Sequence, residues 1–114
     1  MDLLRKSENG AVVLAITGEV DLHASPKLRA ELRAILAEKT GLLLIDFTAV
    51  EYIDSSGLAT LIEYVREASG RGGKLALFGL KPKVRTIFDL VRLNELFVIA
   101  ADREAAMAAL AAKA

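Results

Sequence analysis

The feature that most constrains the fold of this chain is the alternation of apolar runs with stripes of helical spacing. Apolar, partly β-branched runs predict buried strands at Ala11–Thr17, Leu42–Phe47 and Lys74–Phe78, with shorter strands at Leu3–Ser7 and Phe97–Ala100. Strands that alternate with helices favour parallel pairing through right-handed crossovers. The sequence therefore predicts an α/β fold.

The first two strands are predicted to form an antiparallel hairpin. Asn9 and Gly10 stand between them, and Asn-Gly is the strongest short-range hairpin signal because both residues tolerate positive φ. The sheet is therefore expected to be small and mixed, opening with an antiparallel pair.

Three stripes of apolar residues at helical spacing predict the main helices. They comprise Leu28, Leu32, Ile35 and Leu36; then Leu58, Leu61, Ile62 and Val65; then Val84, Ile87, Phe88 and Val91. Ser25 is predicted to cap the first helix, with Pro26 at its first position, and Pro82 lies near the start of the third. An alanine-rich fourth helix is expected from about Arg103 to Ala114, with an end that frays. No linker divides the chain, so residues 1–114 are expected to form one domain.

Composition excludes several classes of protein. Fifteen basic and fifteen acidic side chains give a net charge of zero, which argues against direct nucleic-acid binding, where a basic surface is expected. The chain has no cysteine and a single histidine, His23, so disulfides, thiolate metal sites and multi-histidine metal sites are excluded.

Neither export nor membrane insertion is expected. The first ten residues include Asp2, Arg5, Lys6 and Glu8, which leaves no apolar stretch of signal-peptide length. The longest apolar runs, Leu42–Ile45 and Leu96–Ala101, are far shorter than the roughly 20 residues of a membrane span. The sequence therefore predicts a cytoplasmic domain.

Two kinds of catalytic or nucleotide site have weak support. Ser55, Ser56 and His23 could contribute to a hydrolytic triad, but the chain has no G-x-S-x-G nucleophile elbow. Gly70–Lys74 is glycine-rich, yet it follows a predicted helix and enters a predicted strand. A phosphate-binding loop runs from strand to helix, so this segment is interpreted as a helix stop and a turn.

Acidic residues follow the second and third strands. Glu19, Asp21, Glu51 and Asp54 are expected in loops at one edge of the parallel sheet, where α/β folds usually place their sites. A solvated acidic rim is the favoured interpretation. A divalent-cation site is the alternative, without a ligand-spacing motif to support it.

The most informative segment is Asp54–Leu58, which precedes the second helix. Ser55 is predicted to cap that helix, although Leu58 rules out a capping box, which needs Glu or Gln three residues after the cap. Gly57, in the first turn, costs up to about 1 kcal/mol relative to alanine, so it is expected to admit close approach by another part of the fold or by a partner. Two adjacent hydroxyls at a helix N-terminus also suit phosphorylation, because the helix end tolerates negative charge.

These motifs resemble the STAS domain, in particular bacterial anti-sigma factor antagonists. The resemblance rests on Asp54–Leu58 preceded by Ile45–Phe47, on Gly18–Asp21, and on Lys74–Leu80 followed by Pro82, Val84 and Phe88. It covers about Leu3 to Leu110, in the same order of elements. It implies a small sheet with helices packed mainly on one side.

The resemblance also implies a partner-switching role without enzymatic activity or a cofactor. The unphosphorylated protein would bind an anti-sigma factor serine kinase of the GHKL type and so release a sigma factor. That kinase would phosphorylate Ser55 and end the binding, and a PP2C-type phosphatase would restore it. The partner-binding residues implied in this way are Asp21, Asp54, Ser55, Ser56 and Gly57.

Two alternatives remain open at this point. The chain could be a STAS subunit of another complex, such as a lipid-transport ABC system, a stressosome or another signalling assembly. An enzyme is the third possibility.

Overall fold

Five strands form one sheet in the order in which they occur along the chain, β1-β2-β3-β4-β5. The structure is a computed structural model that describes residues 1–39 and 41–112. The strands are β1 (Asp2–Glu8), β2 (Ala11–Val20), β3 (Leu42–Ile53), β4 (Lys74–Phe78) and β5 (Val98–Ala100). The helices are α1 (Ser25–Ala37), α2 (Ser55–Ser69), α3 (Pro82–Leu90) and α4 (Arg103–Ala112), with a 3₁₀ turn at Leu93–Glu95. The last two residues of the predicted fourth helix lie outside the described residues.

The predicted hairpin is confirmed. β1 pairs antiparallel with β2, from Asp2 opposite Thr17 to Glu8 opposite Ala11. Asn9 and Gly10 adopt φ angles of 48° and 80°, the left-handed backbone that a tight hairpin turn requires. The other strand pairs are all parallel, so the sheet is mixed, as predicted.

Helices cover the two faces of the sheet unequally. The larger core lies on one face, where α1, α2 and α3 pack on β2, β3 and β4. Leu61 of α2 and Phe88 of α3 are fully buried there. On the opposite face α4 alone contributes Ala106 and Leu110 to a smaller core. The expected α/β fold with helices mainly on one side is confirmed.

Two strands extend further than the sequence predicts. β2 continues to Val20 and β3 to Ile53, so Glu19 and Glu51 lie within strands and not in the loops expected for them. The pairing of β2 with β3 survives two register shifts, between Ala15 and Thr17 and between Gly18 and Glu19. Bulges of this kind let a strand pass a glycine that would otherwise indicate its end.

Candidate functional site

The site is built where the carboxyl ends of β2 and β3 meet. The backbone amide of Asp54 donates to the carbonyl oxygen of Val20 over 3.1 Å. The backbone amide of Leu22 donates in turn to Asp54 Oδ2 over 3.1 Å. The segment after β2 and the start of α2 are therefore held together through Asp54.

Asp54 caps α2, and the prediction that Ser55 is the cap is wrong. Asp54 has extended backbone (φ −109°, ψ −174°), and its Oδ1 accepts from the amides of Ser56 at 2.9 Å and Gly57 at 3.2 Å. Ser55 is the first residue of the helix. Aspartate and serine are equally good caps, and the bonds from Asp54 to the β2 side decide between them.

The Asp54 carboxyl is held in its charged form. The hydrogen bond from the Ser56 hydroxyl, supported by three backbone amides, lowers the pKa of Asp54 from its ordinary value against the opposing effect of burial. Its two oxygens accept from these donors, so the carboxylate fixes the start of α2 against the segment after β2.

The two adjacent serines have different surroundings. Ser55 is exposed, and no side-chain hydrogen bond joins it to another described residue. Ser56 is half-buried, and its hydroxyl donates to Asp54 Oδ1 over 2.5 Å. Ser25 Oγ lies 2.8 Å from Ser56 Oγ and 2.7 Å from the carbonyl oxygen of Asp21. Ser55 therefore presents its hydroxyl to solvent, while Ser56 belongs to a hydrogen-bonded chain.

Gly57 lets α2 approach the sheet. It is buried, and a Cβ at this position would lie 2.8 Å from the carbonyl oxygen of Val20 and 2.8 Å from side-chain atoms of Val20 and Ile53. Of the two close approaches expected from the sequence, the structure shows the one within the fold. Gly57 therefore allows the first turn of α2 to pack directly on the carboxyl ends of β2 and β3.

Two residues of the site have roles that the sequence analysis does not assign. Ser25 is 3% exposed and is the first residue of α1, whose cap is Ala24 without a side-chain hydrogen bond. The predicted capping role of Ser25 is therefore wrong, because its hydroxyl faces Ser56. Leu22 is 75% exposed; a leucine among polar residues in the short segment between β2 and α1 is the signal that could have identified it.

Comparison with known proteins adds to this geometry. The sequence model of the STAS domain matches residues 3–106. The chain belongs to the STAS domain family. This STAS domain is 32% identical over 101 residues to the anti-sigma-B factor antagonist of Bacillus subtilis, an alignment that covers 89% of this chain and 91% of that protein.

Solved structures share the fold of this STAS domain. An anti-sigma factor antagonist from Mycobacterium paratuberculosis matches with a TM-score of 0.87 and 26% identity, over 95% of this chain and 92% of that one. The Bacillus cell fate determinant SpoIIAA, solved in its phosphorylated form, matches with a TM-score of 0.71 and 24% identity, over 91% of this chain and 96% of that one. At that identity the second likeness shows the fold alone.

The four acidic residues of the possible divalent-cation site do not form a common site in this STAS domain. Asp21 Oδ1 accepts from the amide of Ala24 over 3.0 Å. Glu51 forms ion pairs with Lys81 and Lys83, the latter at 3.2 Å. Within residues 1–39 and 41–112, no three histidine, aspartate or glutamate side chains are placed to hold a metal ion together.

The structure gives no support to the hydrolytic triad or to the phosphate-binding loop considered in the sequence analysis. His23 is exposed and lines a surface hollow with Glu19, Asp21 and Lys27, and the hydrogen bonds of the described residues do not join it to either serine. α2 ends at Ser69 and β4 begins at Lys74, which confirms that the glycine-rich segment between them is a helix stop and turn. In the part of the chain that the structure describes, no helix combines the length and apolar character needed to cross a membrane.

Proposed function

We propose that this STAS domain is an anti-sigma factor antagonist whose binding is switched off by phosphorylation of Ser55. The unphosphorylated form binds an anti-sigma factor serine kinase of the GHKL type and thereby releases a sigma factor. The kinase phosphorylates Ser55, and a PP2C-type phosphatase removes the phosphate. The domain acts by binding, without a catalytic residue or cofactor of its own. Its relatives among anti-sigma factor antagonists support this proposal.

The observation that carries the proposal is the difference between the two serines. A kinase must reach the acceptor oxygen, and Ser55 is exposed at the first position of α2. Ser56 would have to leave both Asp54 and Ser25 before it could react. Ser55 is therefore the acceptor. The phosphorylated form in which SpoIIAA was solved supports a phosphate on this fold.

The free monomer tolerates a phosphate on Ser55. A phosphate adds about 1.5 to 2 negative charges. At the start of α2 it meets the positive end of the helix dipole, which stabilises negative charge by about 0.3–1 kcal/mol. Repulsion from the Asp54 carboxylate opposes this gain, and solvent screens that repulsion at an exposed helix end. The two effects are similar in size, so the fold persists.

The complex does not tolerate the same phosphate. Partner contact removes the screening water, and an anionic group of the partner about 6 Å away would cost several kcal/mol at an effective dielectric constant near 20. Since each 1.4 kcal/mol is a factor of ten in affinity, binding falls by roughly a hundredfold or more. Phosphorylation thus acts at the contact surface, on binding and not on folding.

The test is phosphorylation by the purified anti-sigma factor kinases of the source organism in the presence of ATP. We expect one phosphate, mapped to Ser55 by mass spectrometry, and none on Ser55→Ala. Ser56→Ala is the matched control and retains an acceptor. A phosphate mapped to Ser56, or labelling that survives Ser55→Ala, overturns the assignment. Absence of binding to every anti-sigma factor overturns the proposed function.

A further inference from the structure

Leu22 combines a highly exposed apolar side chain with a fixed backbone. Its side chain is 75% exposed, while its amide is held by Asp54 Oδ2 over 3.1 Å. The neighbouring backbone is also fixed, because the amides of Ala24 and Ser25 both donate to the carbonyl oxygen of Asp21, over 3.1 and 2.9 Å. The backbone that carries the exposed leucine is therefore already held in place, so binding does not have to order this segment.

The position of Leu22 connects it to the proposed phosphoacceptor. Its hydrogen-bond partner, Asp54, is the residue that directly precedes Ser55. Six large apolar side chains of the described residues are exposed. Two of these six residues are near Ser55. The backbone amide of Leu22 bonds to Asp54, and Tyr52, which is 47% exposed, precedes Asp54 by two residues. Exposed apolar area therefore adjoins the segment that a kinase has to contact.

A kinase bound at Ser55 also covers Leu22. A specific protein–protein interface of standard size covers about 800 Å² on each partner, equivalent to a disc of roughly 16 Å radius. Leu22 lies well within that reach of Ser55, since one hydrogen bond and one peptide link join the two residues. In such an interface the buried centre is more apolar than the rim, and a few residues near the centre carry most of the affinity.

We infer that Leu22 is a specificity-determining contact, which packs against the anti-sigma factor kinase beside Ser55. This inference rests on the proposed function and extends it, because it names a contact that is independent of the charge on Ser55. The Leu22 side chain contributes affinity for the unphosphorylated form, and the phosphate on Ser55 removes it by repulsion. Leu22 thus contributes to the choice of partner, whereas phosphorylation of Ser55 determines whether that partner is bound.

The experiment compares Leu22→Ser, Leu22→Met and Leu90→Ser by calorimetric titration with the anti-sigma factor kinase that binds the wild-type domain. Leu90 is the matched control, because it is 78% exposed at the last residue of α3. We expect Leu22→Ser to weaken binding at least tenfold, or about 1.4 kcal/mol, without a change in melting temperature. Leu22→Met keeps a large apolar side chain and should bind nearly as tightly as the wild type. Leu90→Ser should bind like the wild type.

Phosphorylation kinetics provide a second readout. For Leu22→Ser the KM of the kinase for the domain should rise while kcat stays near the wild-type value, because Leu22 contributes to docking and not to phosphoryl transfer. Equal affinities of Leu22→Ser and wild type for the kinase would overturn the inference and leave the proposed function intact. If the wild type binds no anti-sigma factor kinase, the proposed function fails and this inference fails with it.

Discussion

The hydroxyl oxygens of Ser25 and Ser56 lie 2.8 Å apart and connect the first turns of α1 and α2. Ser56 continues the connection to Asp54 Oδ1, and Asp54 binds the amide of Leu22 through its other oxygen. Asp54, the cap of α2, is thereby joined through one carboxylate oxygen to the segment after β2 and through the other, by way of Ser56, to α1. The hydroxyl of Ser56 is engaged in this chain of hydrogen bonds, whereas the hydroxyl of Ser55 is exposed to solvent.

The first prediction concerns Ser25. Its hydroxyl is buried and hydrogen-bonded, so Ser25→Ala should lower the free energy of unfolding by about 1 kcal/mol, the usual net value of such a bond. Ser55→Ala removes an exposed hydroxyl and should change it by less than about 0.5 kcal/mol. Urea denaturation of both variants measures the difference. Equal effects would mean that the Ser25–Ser56 contact contributes nothing to stability.

The second prediction concerns the charge on Asp54. Asn is as good a helix cap as Asp but carries no charge. Its amide nitrogen also cannot accept from the backbone amide of Leu22, which bonds to Asp54 Oδ2, so the charge is isolated by the pH dependence of the difference between wild type and Asp54→Asn. The Ser56 hydroxyl and the backbone amides place the pKa of Asp54 below its ordinary value in the folded state. A lowered pKa stabilises the fold above the unfolded value of about 3.9, and this stabilisation is lost as pH falls through the folded pKa.

Wild type should therefore be more stable than Asp54→Asn at pH 7, and the gap should narrow as pH falls below about 4. Denaturant titrations at pH 7, 5 and 3 measure this difference in the free energy of unfolding. A gap that stays constant across this range would show that the carboxylate charge plays no part.

The third prediction concerns Gly57. A methyl group at this position meets the carbonyl oxygen of Val20 at 2.8 Å, and a backbone atom cannot move aside as a flexible side chain can. Gly57→Ala should cost about 1–3 kcal/mol of stability as an overpacked substitution, despite the better helix propensity of alanine. The control is Gly41→Ala, where a Cβ meets nothing within 4 Å. A melting temperature for Gly57→Ala that matches the wild type would contradict the close approach.

The elements that can be predicted from sequence are those whose signal is local to the element itself. The stripe Leu28–Leu36 predicts α1 because a helix buries every third or fourth residue, and Asn9–Gly10 predicts the hairpin because the turn itself demands their backbone angles. These signals are local, so the structure agrees with them.

The predictions from sequence are wrong where contacts between residues distant in sequence determine the bounds of a helix or strand. Asp54, Ser55 and Ser56 are all good helix caps, and the choice falls on Asp54 because its amide bonds to Val20 and its carboxylate to Leu22. Gly18 indicates a strand end by local preference, yet β2 continues past it because β3 pairs alongside. Neither partner lies near in sequence, which is why the local pattern cannot settle these positions.

The fourth prediction concerns the core. Phe88 is fully buried between the rings of Phe47 and Phe97, with centroids 6.0 and 5.8 Å away in edge-to-face geometry. Phe88→Ala should lower the free energy of unfolding by about 3–5 kcal/mol, and Leu61→Ala by about 2–5 kcal/mol. Leu90→Ala, on the same helix as Phe88 but exposed, should have little effect. Unchanged melting curves for Phe88→Ala and Leu61→Ala would contradict the packing of the helix faces.

The fifth prediction concerns the substitutions at Ser55 that alter its charge. Ser55→Asp adds less charge than a phosphate and has a shorter reach, so it should weaken binding to the anti-sigma factor only in part. Ser55→Ala adds none and should bind as the wild type does. Calorimetric titration of both variants with the same partner measures this order, and weaker binding by Ser55→Ala than by Ser55→Asp would contradict it.

The central claim is that a phosphate on Ser55 acts on binding and leaves the fold intact. The direct measurement is paired, on phosphorylated and unphosphorylated domain: the affinity for the anti-sigma factor by calorimetry and the melting temperature. We predict an affinity at least about a hundredfold lower for the phosphorylated form and a nearly unchanged melting temperature. Equal affinities would contradict the switch, and a fall in melting temperature large enough to explain the lost binding would contradict its mechanism.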